Sequence, residues 1–412
     1  MSNQHWPDEF RRMAGVASHA RPDYLKPVAD GETFVETPAF DELESHRGAW
    51  RDLARRALEP NPFLEPDFAL SAALHMPPAQ RPDFVLIWQG AGFERRARLI
   101  GLAAIERKAP MLGVARAWRH RHGALTTPLI DQFAGARAVD ALLAWLAARK
   151  PRQPAVAFDS LVQGGQVYDL LVERCGAKGL AWSPLREYSR AVLVGGEASA
   201  ETFARARSAK HRREIDRLQR RLAECGSVTS HSATNPAEIR AAAEWFLALE
   251  HGGWKGRRGT DFLSDAGDAA FMRTVMRLFA ADRRCRIDWL AVEGRPVAMT
   301  VLLTAADRAY AWKTAYDESY AHYSPGVQLF RALIQRQAED ASTALTDSCA
   351  IADHPMIDRV WPDRQAMVEL LIGVDATNAA RVPRVVRRER FRRGLRAAVK
   401  ATANKALGRK VS

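Results

Sequence analysis

Apolar residues recur along the chain with two periods, and the changes of period mark its elements. "FDELESHRGAWRDLARRAL" (40–58) sets Leu43, Trp50, Leu53 and Leu58 on one stripe, which predicts a helix. The proline-rich "EPNPFLEPDF" (59–68) breaks it, and Asp67 is expected to cap a short helix beyond. Strand-like runs follow at 83–89, 97–107, 115–120 and 124–131. The pattern turns helical over 136–149, strand-like over 155–161, helical over 166–176 up to Gly176, and strand-like over 186–196.

The second half repeats this order. A long helix is predicted over 200–226, a short strand at 227–231, a helix over 235–254 with Asn235 as cap and Pro236 at its first position, and another helix over 268–284. Strands over 286–294, 295–306 and 308–317, separated by turns at 293–296 and 306–308, predict an antiparallel meander. A loop, a helix over 326–340, a strand over 344–350, a helix near 354–360 and a strand over 366–373 follow. The same grammar twice in one chain predicts an α/β fold of tandem domains, with mixed, mostly antiparallel sheets flanked by helices. The expected organisation is an irregular arm over 1–40, a first domain over 41–196, a second over 197–378 and a basic tail over 379–412.

A formal net charge of +13 on 412 residues suggests a nucleic-acid partner, but its placement changes that picture. Twelve Lys/Arg and a single acid, Glu389, lie within 381–412, a net of +11 that leaves +2 for the body. The tail mixes these cations with Val385, Val386, Phe391, Leu395, Val399 and Leu407. Such a pattern suits an amphipathic segment on an anionic membrane surface, a nucleic-acid arm or a disordered end. The tail holds no aromatic beyond Phe391, which argues against single-stranded RNA. A second basic run, 201–224, carries Arg205, Arg207, Lys210, Arg212, Arg213, Arg217, Arg220 and Arg221, as a solvated face or a contact for phosphates.

Cys175, Cys225, Cys285 and Cys349 stand 50, 60 and 64 residues apart without a CxxC pair. This excludes a zinc ribbon or a disulfide framework, fits reduced thiols in a cytoplasmic compartment, and leads us to expect no metal. The first residues hold no apolar signal stretch, and the longest apolar run, Val297–Ala306, is too short to span a bilayer.

Candidate chemistry gathers after the meander, in "YDESYAHYSPGVQL". Ser324 suits a helix cap, Pro325 the first helical position, and Gly326 a close approach to the next amides. A helix N-terminus of this kind suits a pyrophosphate, or is simply a helix start. Three side chains are candidate bases. Asp317 ends the last meander strand, or caps "DES"; Asp347 is an acid within a short apolar strand; His354 titrates near neutrality, or serves at a helix start. Strand alternation places Trp312, Thr314 and Tyr316 on one face and Lys313 with Asp317 on the other. Trp254-Lys255-Gly256 either shapes a pocket and meets an anion or anchors a loop.

"WKG" (254–256), "VEGRPVAM" (292–299), "WKTAYDESYAHYSPGVQL" (312–329) and "DSCAIADHPMIDRVWPDRQ" (347–365) together resemble the GNAT-type acyltransferases of the BioF/CelD group. That group is related in fold to the FemAB peptidyl transferases and is linked to polysaccharide or cell-envelope biosynthesis. The likeness covers about 205–372, and "NPFLEPDF" and "TTPLID" resemble the group's first, degenerate GNAT unit. It implies acyl transfer from acetyl-CoA or another acyl-CoA to an amine or hydroxyl of a small-molecule, saccharide or lipid-linked acceptor. The resemblance puts the donor pyrophosphate on loop 322–327, with Tyr323, Ser324, Gly326, Val327 and Gln328 as donor-binding residues. Trp254, Lys255, Trp312, Lys313 and Tyr316 become the acceptor-side set, and Asp347, His354 and Asp317 the candidate catalytic set. The usual signature Arg/Gln-x-x-Gly-x-Gly/Ala reads "HYSPGVQ" here, matching only at Gly326, as in FemAB-like proteins. An aminoacyl-tRNA donor is therefore the alternative, and a non-catalytic membrane or nucleic-acid adaptor a third reading. By the same analogy the tail is expected on the anionic inner face of the membrane, with the body cytoplasmic.

Overall fold

The computed structural model describes residues 27–28, 33–90, 97–107, 114–148, 154–195, 209–340, 342–376, 381–392 and 394. Most of the expected arm, residues 200–208 with Arg205 and Arg207, and the tail from 395 on lie outside them.

The smaller of two sheets is antiparallel and comes from the first half: β1 (Pro27–Val28), β2 (Thr33–Glu36), β3 (Asp83–Gln89), β4 (Arg98–Ile105) and β6 (Leu129–Ile130), in that spatial order. Among the described residues the larger sheet has nine strands. Its first edge holds β5 (Val114–Arg116) and β7 (Ala155–Val162); its far part is β12 (Arg308–Tyr316), β11 (Arg295–Ala305), β10 (Cys285–Val292) and β9 (Val228–Ala233). Between them β14 (Asp363–Gly373) lies antiparallel to both β7 and β8 (Trp182–Val194), and β13 (Leu345–Asp347) joins β8 to β12. The sheet thus runs across the expected boundary at 196–197.

Helices α1 (Arg47–Arg55), α2 (Pro66–Leu74), α3 (Gly135–Ala148) and α4 (Gln166–Ala177) belong to the first half. The second half supplies α5 (Ala209–Ala223), α6 (Pro236–Gly252), α7 (Trp254–Arg257), α8 (Ala266–Ala281) and α9 (Pro325–Glu339). Asn235 caps α6 as expected, its side chain accepting from the amides of Ala237 and Glu238.

Local chemistry explains where the structure departs from the periodicity. The run 124–131 keeps only Leu129–Ile130 as strand, and the strand expected to 350 ends at Asp347, because Cys349 turns the chain with φ 53°. The helix near 354–360 is one 3-10 turn, Ile357–Arg359. Asp67 does not cap α2. It sits in the first turn, fully buried, and receives Arg47 at 2.5 Å and Arg51 at 2.8 Å, with Arg284 from the second half at 3.6 Å. An apolar stripe cannot report an ion cluster of this kind.

The halves share one core. Phe68 of α2 meets Phe271 of α8 edge-on at 5.2 Å and Trp312 of β12 at 5.5 Å, and the Tyr310 hydroxyl donates to the Pro60 carbonyl at 2.9 Å. Each buried aromatic here contributes about 1.5–3 kcal/mol of apolar burial, so the association of the halves is part of folding itself. The start of the tail is a helix over 382–392 docked on this body. Val382 and Val386 join the core beside Leu185 and Leu371, and buried Glu389 receives Arg116 of β5 at 2.6 Å.

Candidate active-site cleft

The cleft forms because two neighbouring strands part. β12 is parallel to β13 only from Arg308 to Tyr310. Beyond Tyr310, β12 continues to Tyr316 while the other chain turns away at Cys349. The Asp347 carboxylate stabilises that turn by accepting from the Cys349 amide at 2.8 Å. The opening, about 1200 Å³, has Ala311 to Tyr316 on one wall and Ser348 to Ile351 on the other. The start of α9, the α6–α7 junction and the segment around His354 and Met356 enclose its ends.

At the α9 end, Ser324 takes a left-handed conformation (φ 50°, ψ 57°) and its hydroxyl makes no cap bond. The helix therefore opens on the amides of Gly326 and Val327 without a side-chain acceptor, and both residues line the cleft. A Cβ on Gly326 would lie 2.4 Å from the Met356 sulfur, so the missing side chain lets methionine close over the turn. Tyr323 and Gln328 do not line the cleft. Gln328 donates instead to the Ile215 carbonyl at 3.0 Å, tying α9 to α5, and the Tyr323 ring lies 5.7 Å from the Arg221 guanidinium.

At the other end, Trp254 and Lys255 enter the cleft as expected. Lys255 donates to Glu250 at 2.6 Å, Arg257 pairs with Glu318, and Arg258 stacks on the Trp254 ring at 4.8 Å. Lys255, Arg257, Arg258, Lys313 and Arg359 against Glu250 and Glu318 make the lining cationic. The turn holding Trp254 is tight: a Cβ on Gly256 would sit 1.7 Å from the His251 carbonyl oxygen. Gly256→Ala should destabilise the protein by about 1–3 kcal/mol, read as a lower denaturant midpoint at unchanged slope.

The structure gives the three candidate bases other surroundings. Asp317 caps the 3-10 turn after β12, accepting from the Ser319 amide at 2.9 Å and its hydroxyl at 2.7 Å, and does not line the cleft. Asp347 is 2% exposed and faces buried Arg190, 3.6 Å away, behind the cleft wall. Burial works against the Arg190 cation, and Asp347, together with Cys349, Tyr188 and Tyr310, more than offsets it. His354 does line the cleft. Its Nδ1 accepts from the amides of Met356 (3.3 Å) and Ile357 (3.4 Å), so the neutral ring carries its proton on Nε2 and presents a donor. Burial also pushes this imidazole below its ordinary range.

Lys313 lines the cleft and Asp317 does not, and the alternation assigned to Trp312 fails. Val301 is opposite Lys313 and Leu302 opposite Ala311, so Trp312 is an extra residue, a β-bulge that breaks the alternation. Trp312 and Lys313 consequently both reach His122, the indole N–H donating to its carbonyl at 2.7 Å and the Lys313 Nζ lying 3.1 Å from its Nδ1. His122 Nε2 is in turn 3.1 Å from Asp268 Oδ2. Burial, with Lys255 nearby, pulls the Lys313 ammonium down to about 8. Burial alone would raise the Asp268 carboxyl, but hydrogen bonds from His122 and Arg121 hold it at about 2. Sequence reasoning missed His122 and Asp268; the only signal was the paired histidine turn "RHRHG".

These features place an anion-receptive helix start, an open strand edge and a low-pKa lysine around one cleft. Residues 209–346 match the family model described as an acetyltransferase (GNAT) domain. Over these residues the chain is similar to GNAT acetyltransferase domains. The match covers about a third of the chain and contains β9 to β12, α9 and the loop between them. A comparison with curated proteins finds no match. Similar solved structures include FemX, at 10% identity, 84% of this chain, 99% of that one and a TM-score of 0.49. Others are a tandem GNAT protein from the clavulanic acid biosynthesis pathway (13%, 84% and 99%, 0.39) and L-PGS from Bacillus licheniformis (13%, 77% and 92%, 0.43). No helix among the described residues is long and apolar enough to cross a membrane.

Proposed function

We propose that the cleft between β12 and β13 moves an acyl group from acetyl-CoA or another acyl-CoA to an amine or hydroxyl. The observation that carries this is the opening of β12 beyond Tyr310 beside the uncapped start of α9. The residues fit such a donor. The Gly326 and Val327 amides suit its pyrophosphate, the cationic lining suits its charge, and the open edge of β12 offers amides to the acyl carbonyl. Holding both substrates in one cleft turns a bimolecular encounter into a local one. We place the chain in the BioF/CelD-like group, with a first GNAT-like unit over 41–196 and a second, donor-binding one over 197–378. Trp254, Lys255 and Tyr316 then border the acceptor, a small molecule or a saccharide or lipid-linked group. The helix over 382–392 turns Arg384, Arg387, Arg388 and Phe391 outward, which suits an anionic membrane surface on the cytoplasmic side.

The test is thermal unfolding with acetyl-CoA, palmitoyl-CoA and CoA. A ligand that binds only the native state stabilises it by about 2.7 kcal/mol at 100 times its Kd. The melting temperature should rise with at least one of them, and no rise with any overturns the reading. One observation supports an aminoacyl-tRNA donor instead: Lys210, Arg213, Arg217, Arg220 and Arg221 are exposed on α5, the helix bonded to α9 through Gln328. A rise with aminoacyl-tRNA and none with CoA species would decide for it.

A further inference from the structure

His122 and Asp268 come from opposite halves of the chain and are held with more care than a loop histidine requires. The His122 carbonyl is fixed by the Trp312 indole, and its ring lies against Phe262 with centroids 4.4 Å apart. Phe271 lies beyond, its plane 12° from that of the imidazole. Asp268 stands in the first turn of α8, its amide bonded to Asp265 and its carboxylate also paired with Arg121. An ionised carboxylate only accepts, so the His122 proton belongs on Nε2. The Nδ1 lone pair then faces Lys313.

We propose that Lys313 is the acid–base group of the cleft and that His122, locked by Asp268, is the pair that positions it. The proposal rests on the acyl-transfer reading above. A neutral Lys313 amine gives one N–H to His122 Nδ1, which turns its own lone pair away from the imidazole and into the cleft. As the acceptor attacks, its N–C or O–C bond to the acyl carbon forms and the thioester C–S bond breaks. The acceptor's proton passes to Lys313, and Lys313 returns it to the departing thiolate. Atoms and charge close within the cleft, and no co-reactant is needed. Base and leaving thiol are matched, since Lys313 titrates at about 8 and a free thiol near 8.5.

The groups facing Lys313 are His122, Asp268 from α8, Glu250 and Lys255 at the α6–α7 junction, and Cys349 after β13. Those facing His122 are Lys313, Asp268 and Arg121, with the His120 ring 5.3 Å away. Glu250, Asp268 and Cys349 favour the Lys313 cation, while Lys255 opposes it. Losing the Asp268 carboxylate must therefore lower its proton affinity.

The experiment labels the full-length protein with acetic anhydride across pH and follows the Lys313 peptide by mass spectrometry. The wild-type profile should reach half its maximum near pH 8. Asp268→Asn should move the midpoint down by a few tenths of a pH unit, so that labelling at pH 7 is about twofold faster. Arg121→Gln removes an exposed competitor for Asp268 and should move it the other way. His122→Leu should change the profile, and His122→Asn, which restores an acceptor near the Nδ1 position, should return it toward wild type. If the Asp268 and His122 variants do not fold, the Arg121→Gln shift still decides. Superimposable profiles in the folded variants overturn the proposal. A CoA melting shift with unmoved profiles would reject the positioning pair and keep the acyl-transfer reading. Moved profiles without any CoA shift would reject that reading and leave the pair's hold on Lys313 standing.

Discussion

Lys313→Met is expected to reduce acyl transfer by roughly 10²–10⁴-fold, the range that a positioned acid–base group supplies. The measurement is release of free CoA thiol from acetyl-CoA, with a panel of primary amines and alcohols as acceptors. Methionine fills much of the lysine stem and is tolerated between the Phe262 and Trp312 rings, which the Lys313 Nζ overlooks at 5.4 and 5.8 Å. The deciding companion is Lys313→Arg. Arginine keeps the charge but does not give up its proton in proteins, so it preserves any electrostatic attraction for the donor and removes proton transfer. Lys313→Arg should therefore bind CoA, judged by the melting shift, and still fail to turn over. An active arginine variant would mean that Lys313 acts only as a fixed charge.

Asp347→Ala should lower stability by about 3–5 kcal/mol, because it leaves a buried guanidinium without its counter-ion. Arg190 is 3% exposed, and its other polar contacts are the Ala124 carbonyl at 3.3 Å and the Met367 sulfur at 3.5 Å. Neither can replace a carboxylate. Denaturant unfolding measures the loss, and the double variant Asp347→Leu/Arg190→Met should recover most of it, since an apolar pair avoids the desolvation cost of both ions. A stable Asp347→Ala protein that has lost only turnover would return Asp347 to the chemistry. The variant also removes the acceptor for the Cys349 amide, so part of its effect should appear at the cleft wall.

The contrast between these residues shows what the sequence could and could not reveal. The meander was legible from alternation and tight turns, and Glu293 and Ala306 adopt the positive φ that such turns require. The start of α9 was legible from Ser-Pro-Gly. Trp254, Lys255, Trp312, Lys313, Tyr316, Ser324, Gly326, Val327 and His354 do line one cleft. What local pattern could not carry was pairing over distance. An acid in an apolar strand looks the same whether it faces a substrate or an arginine 157 residues earlier in the chain, as Asp347 does. Alternation around Trp312 failed because a bulge is a property of two strands, and the partner's register is not written in one of them. His122 and Asp268 lie 146 residues apart and meet only after the halves dock.

Among the described residues β14 is the last strand made, and both its neighbours, β7 and β8, were made long before it. During synthesis, the sheet must therefore wait with an open slot, two strand edges showing their unpaired amides and carbonyls, until β14 arrives to fill it. Pairing across such separations is entropically slow, and exposed edges are where nascent chains stick to one another. A chain stopped before residue 363 would carry every residue of the cleft and still lack the strand that closes the sheet. Synthesis of β14, rather than of the site, would then set the moment at which the protein becomes an enzyme.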